Sequence, residues 1–108
     1  MDKKEALLIW EHEYGSQEYA YDIVGRKIKR DDYNIQNQVG WVVCYMRPLS
    51  LGGSTNDGNT IILHHHTASE KGDSYPEFFV DSIKYIVRHE EDGDFYYIES
   101  TSNRDDEI

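Results

Sequence analysis

Residues 41–73 read WVVCYMRPLSLGGSTNDGNTIILHHHTASEKGD, and the succession of patterns in this stretch decides the fold. Val39 to Met46 is rich in β-branched and aromatic residues, which predicts a strand with Trp41, Val43 and Tyr45 on one side and Val42, Cys44 and Met46 on the other. Pro48 ends it, because proline has no N–H to give a ladder. LGGSTNDGN is then a loop punctuated by glycines. TIIL predicts a second short strand, and HHHTASEK predicts the helix that follows, closed by Gly72. Strand, glycine loop, strand and helix are expected to form one ββα unit over residues 39–73.

Upstream, Ala6, Leu7, Trp10 and Tyr14 recur at helical spacing after the N-cap candidate Asp2, and Gly15 stops the run, so an amphipathic helix is expected. DIVGRKIKRDDY predicts a short extended segment around Gly25. It carries a basic cluster, Arg26, Lys27, Lys29 and Arg30, best read as a strand edge kept soluble by its charges. Downstream, FFVDSIKYIVRH and FYYIES are strand-like runs joined by EEDGD, which predicts an acidic β-hairpin over 78–100. A polar, frayed tail is expected over 101–108. Trp10, Trp41 and Tyr85 are expected to serve packing, Tyr96 and Tyr97 to serve as strand formers, and His12 and His89 have no partner at ligand spacing.

At 108 residues the chain is expected to be one α+β domain: N-terminal helix, ββα unit and C-terminal hairpin, the hairpin extending the sheet or covering the face of the site. The net charge of −10 disfavours general affinity for a phosphate backbone. Most of that charge lies beyond Asp73, while the first two thirds are nearly balanced. The single cysteine, Cys44, cannot form an internal disulfide, which fits the cytoplasm, and no apolar run approaches the roughly 20 residues needed to span a bilayer. No membrane partner is expected.

The ββα order, with Pro48, Gly52, Gly53, Asn59, Lys71, Gly72 and Asp73 in register, resembles the ββα-metal core of the HNH endonucleases. IWEHEYG and DIVGRKIKRDDY also resemble the helix and strand that precede that core in bacterial and phage members, so the likeness covers most of residues 5–79. The resemblance implies a site in which a histidine activates water while a preceding aspartate and a helix Asn or His hold a divalent ion. The matching positions here hold Tyr45 for the histidine, Cys44 for the aspartate and Ala68 for the helix ligand. Of the functional set Asn59 remains, a residue that in the family ties the glycine loop by side-chain to backbone hydrogen bonds.

Those departures fall on the chemistry. A phenol with an ordinary pKa of about 10 is a poor base for water, cysteine is a soft ligand unsuited to magnesium, and alanine has no donor atom. His64, His65 and His66 invite a zinc reading. In one helix, however, successive side chains diverge by roughly 100° and cannot all reach one ion. The expectation is a catalytically silent HNH-like protein with no cofactor, acting by binding, with a protein as partner. Two alternatives are carried. One is a divergent nuclease holding a divalent metal such as zinc through His64 or His66 with Asp57 or Cys44. The other is a nucleic-acid-binding module using Arg26 to Arg30 with Lys71 and Arg47 on one face.

Overall fold

The computed structural model describes Met1–Thr101. It is a mixed α+β chain with two α-helices and three small sheets. The elements are α1 (Lys3–Tyr14), β1 (Tyr19–Tyr21), β2 (Lys27–Lys29), β3 (Trp41–Tyr45), β4 (Thr60–His64), α2 (His65–Lys71), β5 (Glu77–Val80), β6 (Ile83–Glu90) and β7 (Phe95–Ser100). Two single 3-10 turns, Leu49–Leu51 and Asp57–Asn59, lie between β3 and β4. Tertiary packing groups the described residues into two units, Met1–Cys44 with Ile62–Ser69, and Tyr45–Ile61 with 70–101. Among the described residues no helix is long and apolar enough to cross a membrane.

In the first unit α1 begins at a capping box. The Asp2 carboxylate accepts from the Glu5 N–H at 2.8 Å and the Glu5 carboxylate accepts from the Asp2 N–H at 3.2 Å, so two N-terminal donors are satisfied reciprocally. Ala6 and Trp10 face inward and Gly15 ends the helix at φ 65. Trp10 and Trp41 are fully buried with ring centroids 5.0 Å apart, around which Ala20, Ile28 and Ile62 complete the core. Neither indole leaves its polar atom stranded: Trp10 Nε1 donates to the Gln17 carbonyl at 2.9 Å and Trp41 Nε1 to the Lys29 carbonyl at 2.8 Å.

The single extended segment expected around Gly25 is instead a hairpin. β1 and β2 pair antiparallel, Tyr19 with Lys29 and Tyr21 with Lys27, so Ala20 and Ile28 share the inward face. Gly25, at φ 92, supplies the left-handed step that reverses the chain.

β3 and β4 pair with each other. The bonds that frame them, His65 N–H to the Gly40 carbonyl and Met46 N–H to the Asn59 carbonyl, sum to the same register and make the pair antiparallel. The second strand runs one residue further than expected, and α2 begins at His65 rather than His64. Gly72, at φ 51, follows the last helical residue.

In the second unit the expected C-terminal hairpin is a three-stranded antiparallel sheet in the order β5-β6-β7. FFVDSIKYIVRH is two strands. Asp81 and Ser82 both take left-handed backbone, φ 53 and 68, and Val80 pairs directly with Ile83. A two-residue loop with both φ values positive matches the twist of the flanking strands, and aspartate tolerates that region better than most residues. The sheet does not extend that of β3 and β4. Phe78, Val80, Tyr85 and Val87 are buried on its inner face. Of the tail expected over 101–108, only Thr101 is among the described residues; its N–H and hydroxyl both donate to the Lys84 carbonyl, at 2.9 and 3.1 Å.

Candidate functional site

The loop between β3 and β4 is organised by Asn59, which is fully buried. Its Oδ1 accepts from the Arg47 N–H at 2.8 Å, and its Nδ2 donates to the Arg47 carbonyl at 2.9 Å and the Ser54 carbonyl at 2.8 Å. Both amide hydrogens are used, which is what burial of an asparagine requires. The approach leaves no room at Gly53. A Cβ there would lie 2.8 Å from Asn59 Nδ2 and closer still to the Arg47 carbonyl.

Arg47 is fixed from its other end as well. Its Nε donates to the Leu51 carbonyl at 2.8 Å and its guanidinium lies over the Tyr75 ring, 5.3 Å from the centroid. Hydrogen bonding to the Tyr96 side chain, helped by Tyr75, holds its pKa above the ordinary arginine value. Arg47 is therefore a tie within the second unit, half-exposed at its surface. Lys71 is 2% exposed; its Nζ donates to the Ser74 carbonyl at 3.3 Å and lies 5.6 Å from the Phe78 ring centroid. Lys71, expected on a basic face, is thus buried, which its spacing along the chain could not show.

Arg30 bridges Glu11 at 3.1 Å and Asp31 at 3.5 Å at the edge of an open cleft of about 460 Å³ that Glu18 also lines. Lys27 lies 4.5 Å over the Tyr19 ring and Lys29 5.7 Å over it.

At the positions matching the HNH site, Cys44 is a half-buried thiol outside any disulfide, and Tyr45 and Ala68 are half-buried. The three histidines do not fan out as residues of one helix would. His64 closes β4 while His65 and His66 open α2; the His64 ring stacks with those of His65 and His66 at 4.6 and 5.2 Å between centroids, and the latter two are tilted by 39° at 4.3 Å. His64 Nδ1 accepts from the His66 N–H at 3.0 Å, which caps the first turn of α2, and its Nε2 lies 2.9 Å from the Gln38 carbonyl. An accepting Nδ1 fixes the proton on Nε2, so both nitrogens of His64 are engaged. His65 Nε2 is 2.7 Å from the Asn37 carbonyl. Asp57 sits in the second 3-10 turn, where its carbonyl accepts from the Thr60 hydroxyl at 2.9 Å. Among the described residues no group of three or more His, Cys, Asp or Glu is placed to hold a metal ion.

Asp22 was not singled out by sequence reasoning, although an Asp three residues before a glycine is a turn signal. The carboxylate is buried and takes four hydrogen bonds. Oδ1 accepts from the N–H groups of Val24 at 3.1 Å and Arg26 at 3.0 Å; Oδ2 accepts from the His64 N–H at 3.0 Å and the Thr67 hydroxyl at 2.7 Å. Arg26 Nη1 in turn donates to Thr67 Oγ1 at 3.0 Å. One side chain thus closes the β1–β2 turn and anchors the start of α2.

The acidic turn between β6 and β7 divides into two kinds of residue. Glu90, Glu91 and Asp92 are exposed. Asp94 is tied down: it accepts from Asn56 Nδ2 at 3.3 Å and lies 3.0 Å from His89 Nε2. His89 does have a partner, then, and its ring also stacks on Tyr96 at 4.2 Å.

No family model, no curated protein and no solved structure matches this chain.

Proposed function

We propose that this chain is a catalytically silent relative of the HNH endonucleases, of bacterial or phage type and cytoplasmic, that acts by binding a protein partner. The observation that carries the reading is the Asn59 brace. The residue that in that family ties the glycine loop is fully buried and fully bonded to Arg47 and Ser54, while Cys44, Tyr45 and Ala68 occupy the positions of ligand, base and second ligand. Bracing keeps its value for folding after catalysis is gone, whereas a base and two hard ligands do not, so loss of the second set with retention of the first is the pattern of a retired site. The partner is a protein with a basic surface, drawn by the exposed Glu90, Glu91 and Asp92, because a chain of net charge −10 repels nucleic acid.

The test is cleavage of plasmid and single-stranded DNA by the purified, untagged protein with magnesium, manganese, nickel and zinc in turn. No cleavage with any ion is expected. Metal-dependent cleavage that co-purifies with the chain and vanishes in His64→Ala, His66→Ala would establish the divergent nuclease instead.

A further inference from the structure

The strand pairing fixes which side chains share the outward face of the β5-β6-β7 sheet. Glu77 on β5 and Glu99 on β7 both lie opposite Ile86 of the central strand. Phe79 lies opposite Lys84, and Tyr97 opposite Arg88. A half-turn about an axis through Ile86, normal to the sheet, therefore exchanges Lys84 with Arg88, Glu77 with Glu99 and Phe79 with Tyr97. The ion pairs obey the same operation: Lys84 to Glu77 is 3.2 Å and Arg88 to Glu99 is 3.0 Å. The corner aromatics are open to solvent, Phe79 at 59% and Tyr97 at 42%.

We propose that this face docks onto the same face of a second copy of the chain, with the two sheets crossed near 90°. Charge decides the occupant and the angle. Cations lie up and down the central strand from Ile86, and carboxylates lie to either side of it. With strands aligned, cation would stand over cation. A quarter turn sets Lys84 and Arg88 of each copy over Glu77 and Glu99 of the other, and near-perpendicular packing is one of the two standard ways in which sheets stack. The separations suit this exchange, since positions two apart along a strand are about 6.7 Å apart and neighbouring strands about 4.8 Å, both within reach of long side chains. A two-fold axis in the interface at 45° to the strands produces this crossing and makes the contact self-complementary, as closed dimers require. Either diagonal choice of axis also brings the aromatic corners together, with Ile86 on Ile86 at the centre.

Three short strands offer a small interface, below the roughly 1,200 Å² of standard complexes, so the dimer is weak, with a dissociation constant on the order of 100 µM.

Sedimentation of the full chain from micromolar to millimolar concentration tests this, together with dilution-dependent NMR shifts that need no variant. The mass is expected to rise towards that of two chains, with shifts confined to Phe79, Ile86, Tyr97 and their neighbours. Lys84→Glu with Arg88→Glu leaves only carboxylates at the four charged positions, and Glu77→Lys with Glu99→Lys leaves only cations. Each charge-reversed variant alone is expected to stay monomeric, and the two mixed are expected to pair. A wild-type chain that is monomeric throughout, shifts that map elsewhere, or reversed variants that fail to pair while the wild type self-associates would each overturn the proposal.

Discussion

The Asn59 side chain closes a ring on the backbone of Arg47, accepting from its N–H at 2.8 Å and donating to its carbonyl at 2.9 Å. With the third bond to Ser54, one amide holds both ends of the loop in a site that water does not reach. Asn59→Ala would leave a donor and two acceptors unmade, costing about 2–4 kcal/mol of stability. Asn59→Asp should do no better, because it sets a carboxylate against two carbonyls. A fall in the urea midpoint without a change in slope measures this; an unchanged midpoint for both variants would show that the brace is dispensable.

Asp22 joins two parts of the first unit that are far apart in sequence, the β1–β2 turn and the start of α2. An asparagine keeps one acceptor and loses the other, so Asp22→Asn is expected to cost roughly 1–3 kcal/mol. If the lost acceptor is Oδ2, amide exchange at His64 should quicken more than exchange in α1. Equal protection at both places would mean that α2 holds its start by other means.

The Tyr14 hydroxyl donates to the Tyr21 carbonyl at 3.3 Å. Burial, reinforced by the charges of Glu13 and Asp22, pushes its pKa up from 10.0 to about 12. The folded state therefore keeps a proton that the unfolded chain has lost, and by linkage stability falls as pH rises through that window. Its contribution is whole below the unfolded value and gone above the folded one. Tyr14→Phe cannot titrate, so the decline between about pH 10 and 12 should be shallower in the variant. Parallel curves from urea titrations at stepped pH would refute the assignment.

The acidic turn should separate by role. Glu90→Gln, Glu91→Gln and Asp92→Asn together are expected to leave the urea midpoint unchanged or slightly raised, as relief of mutual repulsion predicts. They should slow association with a basic partner several-fold at low salt, since distributed charge acts on the on-rate. Asp94→Asn weakens the contacts to Asn56 and His89 and should lower the midpoint. Unchanged association rates in the triple variant would leave those acids with solubility alone.

Restoration follows from the same reading of the site. Cys44→Asp, Tyr45→His and Ala68→Asn in one chain are expected to give weak metal-dependent DNA cleavage, and any one alone none, because base and ligands act as a unit. Activity from a single replacement would contradict that.

The parts legible in the sequence were those in which local chemistry and periodicity agree. Asp2 marks an N-cap, the 3.6-residue spacing of Ala6 and Trp10 marks α1, and the β-branched and aromatic run from Val39 to Met46 marks β3. Pro48 and the glycines that follow it mark the loop. Each of these is settled by neighbours a few residues away. The turn at Asp81 and Ser82 escaped notice because it has no glycine. Its left-handed backbone is maintained by pairing between β5 and β6 rather than by residue type. The hairpin at Gly25 was hidden for a different reason: its strands are three residues each, too short to show a period.

What the sequence by itself determined is the succession of an N-terminal helix, a strand from residue 41, the loop after Pro48, a second strand and a helix. What only the tertiary structure decided is which polar groups turn inward and which find partners. Lys71 read as a surface cation and is buried, Asp22 drew no notice and is buried, and Arg47 and His89 stay at least partly exposed but are each placed against a partner. Burial leaves a polar group stable only where hydrogen bonds replace water, and for Asp22 those partners come from elsewhere in the fold, the His64 N–H and the Thr67 hydroxyl. Spacing along a chain carries no record of that replacement, because it is made by elements that meet only after the strands have paired.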